Sequence, residues 1–533
     1  MPGMIADSIG PLNGDSPTPT ATAAADRPPR AHFDYVALIP PAVITLGIAL
    51  RLSDYLQNYS LNHDDICLAL NLIQRDAAGL MRTLDFDQAA PLGFLWMERL
   101  VVVAIGYHER ALRLLPLLFG CAALPLMWRV SIELMPRFEA IVALGLLSFS
   151  QALIEAGLQI KPYSLDLLAA LVILAVCLPL IGDTIERGRR IAAAVAGSLL
   201  IWFSFPAVFV LAGMGGVIVA IELFDYRVAR LNRLLGVLVA WTISGALAYR
   251  VSMRPGLLNL RLARIDARHM FPLHTPQQWV SWLAEALNNL GSISTSVRLA
   301  PLMALAVLLA GAIACWRRDR AGMLLIAPIA VCLLAAIAGR YPWFPRRLFF
   351  AAPLTLIFTA RELGQLVRDA RPGLRLAVIF VVCAGLLYSG LSAFKNIVSP
   401  DAGFDDPRGA VAAIAKNWQA GDRIYASDAA VPVIIYYRLL LRDYYGPMLR
   451  DGKTLDFVSS RNPADTAGEP EQIVPLPKRV GRLWFLYFQP DESGFDRRIL
   501  GYFNQRGFLI SESHYKHYTA ALWNLQSGPG SRS

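Results

Sequence analysis

Long apolar runs constrain the fold of this chain more than any other sequence feature. A helix crosses about 30 Å of hydrocarbon with about 20 mostly apolar residues. Eleven runs suit such a crossing: 34–51, 111–132, 138–155, 163–182, 191–206, 207–224, 234–250, 297–316, 321–339, 347–361 and 374–394. Charged residues form only 17% of the 533 residues, against about 25% in soluble domains. We therefore predict a polytopic α-helical membrane protein with about eleven transmembrane helices, thirteen being the alternative count.

The charges between these runs predict how the chain is oriented. Arginines concentrate in the loops near 187–190, 227–233, 317–320 and 361–375, and short Arg-rich loops favour the cytoplasmic side. A twelfth apolar run, 91–106, is short and has Glu98 and Arg99 at its centre, so we expect a helix lying on the membrane. The basic segments at 250–296 and 340–347 then fall outside, where they need a functional reason.

Composition divides the chain into three regions. Residues 1–33, rich in Ala, Pro, Thr and Asp, are typical of a disordered leader, which we place in the cytoplasm. We expect residues 34–396 to form the transmembrane domain, with a first outer loop at 52–110. The short apolar runs and helical patterns of 397–533 predict a soluble α/β domain on the outer face. The net charge of +10 comes without the Lys-rich tail or motif of nucleic-acid binding, so we expect no nucleic-acid partner.

Five polar clusters fall on the predicted outer face. Carboxylates can deprotonate an acceptor hydroxyl there, and fixed cations can hold a departing phosphate. Each cluster also has a structural explanation: acids as helix caps, arginines as interfacial anchors, aromatic residues as a membrane belt, and His63 as a polar flank or metal ligand. The clusters contain His63, Asp64, Asp65, Asp87, Gln88, Glu109, Glu155, Lys161, Tyr163, Arg340, Arg346 and Arg347.

The order of these motifs resembles a known family. An acid pair (Asp64, Asp65) just past the first transmembrane helix is similar to the Asp-Glu signature of GT-C glycosyltransferases. The later Asp-Gln-x-x-Pro, Gly-x-x-Glu-x-x-x-Arg-Leu and Glu-x-x-x-x-x-Lys-Pro-Tyr-Ser patterns resemble bacterial members related to protein O-mannosyltransferases (glycosyltransferase family 39) and to the lipid A aminoarabinose transferase. The resemblance covers about 34–350. The second acid is Asp where the family usually has Glu, and the tail resembles no catalytic module.

The resemblance implies an enzyme of the bacterial inner membrane. Such an enzyme is an inverting hexosyl or pentosyl transferase that moves a sugar from a polyprenyl-phosphate donor to a glycan, lipid or protein acceptor on the periplasmic face. By this resemblance Asp64 is the general base, assisted by Asp65. Asp87, Gln88, His63, Glu109 and Glu155 would orient the acceptor or sugar. Lys161, Tyr163, Arg340, Arg346 and Arg347 would hold the donor phosphate.

Cofactor use and two other protein classes stay open at this stage. No cofactor is firmly implied, but a divalent metal held by Asp64, Asp65 and Asp87 is compatible with the pattern. A transporter or flippase of lipid-linked substrates is the main alternative, although its usual signs are intramembrane charges and repeated halves. A noncatalytic receptor that binds through its tail is the third class. Membrane lipids are partners in every case, and the sequence names neither the sugar nor the acceptor.

Overall fold

The computed structural model describes residues 35–182, 184–294, 300–398, 405–427, 430–440, 455–457, 481–488 and 495–525. The chain divides into two compact units, Met1–Ile39 and Pro40–Ser533. In the first unit, a short 3-10 helix at Tyr35–Leu38 precedes the first α-helix, and the predicted leader at 1–33 lies outside the described residues. All features below belong to the second unit.

Helices account for most of the described chain up to residue 398. Along the sequence they are α1 Ile39–Gln57, α2 His63–Gln74, α3 Leu92–Ile105, α4 Glu109–Leu112, α5 Leu114–Leu134, α6 Arg137–Phe149, α7 Gln151–Glu155, α8 Tyr163–Cys177, α9 Arg187–Leu200, α10 Ala207–Phe224, α11 Val228–Ala248, α12 Arg254–Leu257, α13 Leu260–Ala267, α14 Trp279–Ser294, α15 Ala300–Trp316, α16 Arg320–Ile337, α17 Ala351–Asp369 and α18 Pro372–Val398.

Each of the eleven apolar runs coincides with one of these helices or a bent pair. Among the described residues, seven helical stretches are long and apolar enough to cross a membrane, and the pair α6 and α7, bent by 57°, could make an eighth. The other three runs form α9, α15 and α17. The run at 91–106 forms α3, a helix of 14 residues, which is shorter than a crossing needs.

The helix bundle packs closely inside and is apolar outside. Along α10, a Cβ at Gly213 would collide with the backbone of Pro328 in α16, so this close approach of two helices requires glycine. Many large apolar side chains instead face outward, among them Leu376 and Phe380 of α18. A soluble protein would not expose so much apolar surface, whereas lipid would cover it.

The chain after residue 398 forms a small α/β domain. Its helices are α19 Pro407–Lys416, α20 Val431–Leu440 and α21 Phe495–Arg506, and its strands are β1 Arg423–Ala426, β2 Leu455–Phe457, β3 Arg482–Phe488, β4 Gly507–Tyr515 and β5 Tyr518–Leu525. The strand order is β2-β1-β3-β5-β4. Strand β1 is parallel to β2 and β3, and β5 is antiparallel to β3 and β4. The predicted fold class, a polytopic helical membrane protein with a C-terminal α/β domain, is confirmed.

The C-terminal domain shares a hydrophobic core with the loop between α1 and α5. Leu61, Ile66 and Leu68, in and just before α2, belong to the same buried cluster as Val433 and Tyr436 of α20. Burial of an apolar side chain contributes about 1.5–3 kcal/mol, so this shared core stabilises the packing of α2 against the C-terminal domain. The predicted domain boundary at 397 stays a prediction.

Candidate active site

A cavity of about 400 Å³ opens at the end of the bundle where α8 and α10 begin and α16 ends, called the cavity end below. This volume lies within the usual range of about 300–1,000 Å³ for ligand pockets. The cavity brings together eight side chains that the sequence predicted: His63, Asp64, Asp87, Gln88, Lys161, Tyr163, Arg346 and Arg347. These residues come from four separate segments of the chain: 63–64, 87–88, 161–163 and 346–347.

Asp64 lies in the first turn of α2 and is presented by that helix. Asn62 caps the helix, and its side-chain oxygen accepts the backbone N–H of Asp65 at 2.9 Å. Because Asn62 is the cap, the Asp64 carboxylate is left to face the cavity, with 48% of its side chain exposed. Nη1 of Arg346 lies 3.3 Å from Oδ2 of Asp64.

The charges around Asp64 keep it ionised. Burial alone would raise its pKa, but Lys161, His63 and Arg346 together hold the pKa of this carboxyl below its ordinary value. An ionised carboxylate can accept a proton from a hydroxyl placed beside it. Asp64 is therefore in the protonation state that a general base requires.

A strained turn carries Asp87 and Gln88 into the cavity. Phe86 and Asp87 both adopt left-handed backbone conformations, with φ of 58° and 56°, which are uncommon for residues other than glycine. The Gln88 amide then donates to the carbonyl of Phe86 at 3.1 Å, and its oxygen accepts from Nζ of Lys161. Strain of this kind is retained when the surrounding structure enforces it, and it is frequent at functional sites.

Arg347 is held more tightly than Arg346. Its guanidinium lies 3.4 Å from a carboxylate oxygen of Asp266, and its backbone carbonyl accepts the Tyr341 hydroxyl at 3.1 Å. The backbone N–H of Trp343 donates to the carbonyl of His269 at 3.0 Å. This bond joins the segment that carries Arg347 to the residues after α13. Arg346, with 56% of its side chain exposed, has more freedom to contact a ligand.

Four predicted site residues do not line the cavity. Asp65 is only 1% exposed, and its Oδ1 accepts the backbone N–H of Ile160 at 3.0 Å. Burial, opposed by Lys161 and Arg113, raises the pKa of Asp65 to about 6. Glu109 is buried against the C-terminal domain, and Glu155 accepts from Gln151 at 2.8 Å within α7. Arg340 lies just after α16, outside the lining of the cavity.

The cavity is also lined by residues that were not predicted from the sequence. Leu262, Asp266 and His269 line it from α13 and the residues that follow. Their spacing of i, i+4 and i+7 is the helical signal that could have revealed them. Phe344, whose ring packs against His269 at an angle of 36° with centroids 4.8 Å apart, also lines the cavity and was not predicted.

A metal ion would need several ligands close together. Within the part of the chain that the structure describes, no three His, Cys, Asp or Glu side chains form a group that could hold one. The carboxylates of the cavity instead lie beside cations, with Asp64 3.3 Å from Arg346 and Asp266 3.4 Å from Arg347.

Similarity to known proteins is found in structure and not in sequence. No family model and no curated protein sequence matches the chain. The structure of ArnT from Cupriavidus metallidurans in the apo state matches with 14% identity and a TM-score of 0.52, covering 92% of this chain and 97% of that chain. ArnT bound to undecaprenyl phosphate matches with 13% identity and a TM-score of 0.49, covering 92% and 98%.

A second solved protein with some likeness is an archaeal one. The Archaeoglobus fulgidus oligosaccharyltransferase in its apo form matches with 11% identity and a TM-score of 0.48, covering 84% of this chain and 69% of that chain. At such identities, the match to apo ArnT shows a shared fold. The GT-C fold that the sequence motifs predicted is therefore confirmed.

Proposed function

We propose that this protein is a glycosyltransferase that moves a sugar from a polyprenyl-phosphate donor to an acceptor hydroxyl. The observation that carries the proposal is the placement of the ionised Asp64 carboxylate in one cavity with Lys161, Arg346 and Arg347. A base and a set of fixed cations, a few ångströms apart, are the two elements that this transfer needs.

The chemistry follows from these two elements. Asp64 accepts the proton of the acceptor hydroxyl while the acceptor oxygen attacks C1 of the sugar. The bond between C1 and the phosphate oxygen breaks, its electron pair stays on the phosphate, and the configuration at C1 is inverted. Lys161 and Arg346 contact the phosphate as its negative charge grows, so their attraction is strongest in the transition state.

The remaining cavity residues divide between positioning and shape. Asp87 and Gln88 lie on the strained turn, with Gln88 bonded to Lys161, and would orient the sugar and that lysine. Asp266 holds Arg347 at the cavity wall. ArnT binds undecaprenyl phosphate in one of its solved structures, and by analogy we place the polyprenyl chain among the apolar helices. We assign the reaction to the periplasmic face of a bacterial inner membrane.

The proposal is tested with purified protein in lipid nanodiscs. The substrates are a panel of polyprenyl-phosphate hexoses and pentoses, with envelope extract from a deletion strain as the acceptor source. We expect one donor to be converted to polyprenyl phosphate as its sugar appears in the extract. In proteoliposomes, a donor that crosses the membrane intact without losing its sugar would instead identify a transporter, and the transferase proposal would be wrong.

A further inference from the structure

The C-terminal domain contacts the loop that presents Asp64 through a buried acid. Glu109, at the start of α4, is only 3% exposed, and one of its oxygens accepts from Nη1 of Arg408 at 2.6 Å. Its other oxygen accepts the hydroxyl of Tyr437 at 2.7 Å. Both partners belong to the C-terminal domain, in α19 and α20. Charge-assisted bonds to a buried carboxylate are among the stronger polar contacts in proteins.

The same domain also holds the segment that leads into α2, at Asn58 and Ser60. Nη2 of Arg408 donates to the carbonyl of Asn58 at 2.8 Å. The Ser60 hydroxyl donates to Oδ1 of Asp406 at 2.6 Å. Arg408 therefore joins Glu109 to the backbone at 58, and Asp406 fixes the side chain two residues further on. Asp64 follows only four residues after Ser60.

Arg113 also holds the segment that leads into α2. It is buried, and its guanidinium donates to the carbonyls of Tyr59 and Ser60. Its Nε donates to the carbonyl of Leu158 at 2.7 Å, three residues before Lys161. One side chain thus fixes the backbone before Asp64 and the backbone before Lys161 at the same time.

Asp65 adds a second link between the two backbones. Its Oδ1 accepts the N–H of Ile160, next to Lys161. Among the described residues, the half-exposed Asp64 carboxylate makes a long contact of 3.3 Å to Arg346. The position of its carboxylate is therefore set mainly by the backbone that carries it.

We infer that Arg408 and Glu109 are positioning residues for the reaction, through which the C-terminal domain holds Asp64 in register with Lys161. This inference rests on the proposed function for its consequence, but not for the contacts themselves. Catalysis is sensitive to the placement of the reacting groups. A mutation far from the chemistry that misplaces them by about 1 Å can lower the rate about a hundredfold. The sequence predicted that Glu109 orients a substrate. By this inference it instead holds Arg408, which in turn positions the segment that carries Asp64.

The test compares Arg408→Ala with a matched control, Arg482→Ala. Arg482 also pairs with a buried carboxylate, Asp422, at 2.8 Å, but that pair lies wholly inside the C-terminal domain. Hydrogen exchange of the full-length protein in nanodiscs is followed by mass spectrometry over residues 58–66. We expect Arg408→Ala to accelerate exchange in this segment and Arg482→Ala to leave it at the wild-type rate.

Turnover is measured on the same variants with the donor that the wild-type protein converts in the panel assay. For Arg408→Ala we expect kcat to fall about tenfold to a hundredfold while the affinity for polyprenyl phosphate stays within about twofold. Arg408→Lys should recover part of kcat, because lysine can replace one of the two contacts but not both. In the double variant Glu109→Gln with Arg408→Ala, thermal stability should partly return, since no buried charge is left unpaired, while kcat stays low.

The outcomes separate this inference from the proposed function. Wild-type exchange over 58–66 in Arg408→Ala would overturn the inference, whatever the activity. Faster exchange with kcat no lower than in Arg482→Ala would overturn the positioning role. If the wild-type protein transfers no sugar, the proposed function fails, and the exchange data still decide whether Arg408 holds the Asp64 segment.

Discussion

Both ends of the helix bundle contain cations and carboxylates but arrange them differently. At one end, called the paired end, α11 and α16 begin and α10 and α17 end, and four arginines form ion pairs with acids. These pairs are Arg230 with Glu222, Arg320 with Asp225, Arg361 with Asp319, and Arg368 with Glu139. At the cavity end, Lys161, Arg346 and Arg347 share one space with several carboxylates.

This contrast indicates that the charges of the paired end serve stability and those of the cavity end serve binding. At the paired end Glu222, 1% exposed, has its charge balanced by a neighbouring arginine, so no ligand is needed. At the cavity end the Asp64–Arg346 contact is long and half-exposed, and a phosphate could replace it at small cost. We therefore expect variants of the paired end to change stability and variants of the cavity end to change ligand binding or turnover.

The largest effect is expected for Asp64→Asn. The change keeps the shape of the side chain but removes the base, so transfer should fall by about 10²–10⁴. Expression and melting temperature should stay close to wild type because the side chain is half-exposed. Turnover of purified protein with saturating donor provides the measurement, and a near-normal rate would exclude Asp64 as the base.

Arg230→Ala probes the paired end. Removing the partner of buried Glu222 leaves an unpaired charge, for which a loss of about 3 kcal/mol in the free energy of unfolding is typical. The affinity for polyprenyl phosphate should not change at a temperature where the variant is folded. Thermal unfolding and the affinity for polyprenyl phosphate are measured on the same preparations. Weaker binding by folded Arg230→Ala would show that the paired end also affects ligand binding and would contradict the contrast between the two ends.

Lys161→Ala and Arg346→Ala probe the cations of the cavity end. Losing one charged hydrogen bond, worth about 1.5–3 kcal/mol, should weaken polyprenyl phosphate binding about tenfold to a hundredfold. Arg346→Lys should recover only part of the affinity, because lysine lacks the paired donors of a guanidinium. Full affinity in both alanine variants would place the donor phosphate elsewhere.

The pKa of Asp65 predicts a pH effect on stability. Its folded-state pKa of about 6 lies above the ordinary value of 3.8, so the folded state binds this proton more tightly than the unfolded state. This contribution to the free energy of unfolding is present below about pH 4 and is lost as the pH rises through 6, a change of about 3 kcal/mol. Asp65→Asn, which can still accept from Ile160, should remove this fall between pH 4 and 7. Parallel melting profiles for the two proteins would contradict this assignment.

The smallest effect is expected for Arg340→Ala. The sequence made Arg340 a phosphate candidate on charge alone, but it does not line the cavity. Surface substitutions away from special contacts usually change stability by less than about 0.5 kcal/mol, and we expect donor affinity to change by less than about twofold. A tenfold loss of affinity would require the cavity to extend to this residue.

The sequence predicted the membrane fold because each apolar run is a local signal, and every one of the eleven coincides with a helix or a bent pair. Ordered motifs made Asp64 and Lys161 candidates, and Arg346 became one because its basic segment falls on the predicted outer face. The sequence could not show that Asp65 is buried while Asp64 faces the cavity, since adjacent helical residues point about 100° apart and only packing decides which is buried. The Glu109–Arg408 contact spans 299 positions, and no local pattern indicates it.

The central claim, that the cavity end binds a lipid phosphate beside Asp64, is tested most directly by one structure. The protein in nanodiscs, saturated with polyprenyl phosphate, is imaged by electron cryomicroscopy. We expect phosphate density about 3 Å from Lys161 and Arg346, next to Asp64, with the Asp64–Arg346 contact broken. Phosphate bound at the paired end, or a cavity without density at saturating lipid, would contradict the claim.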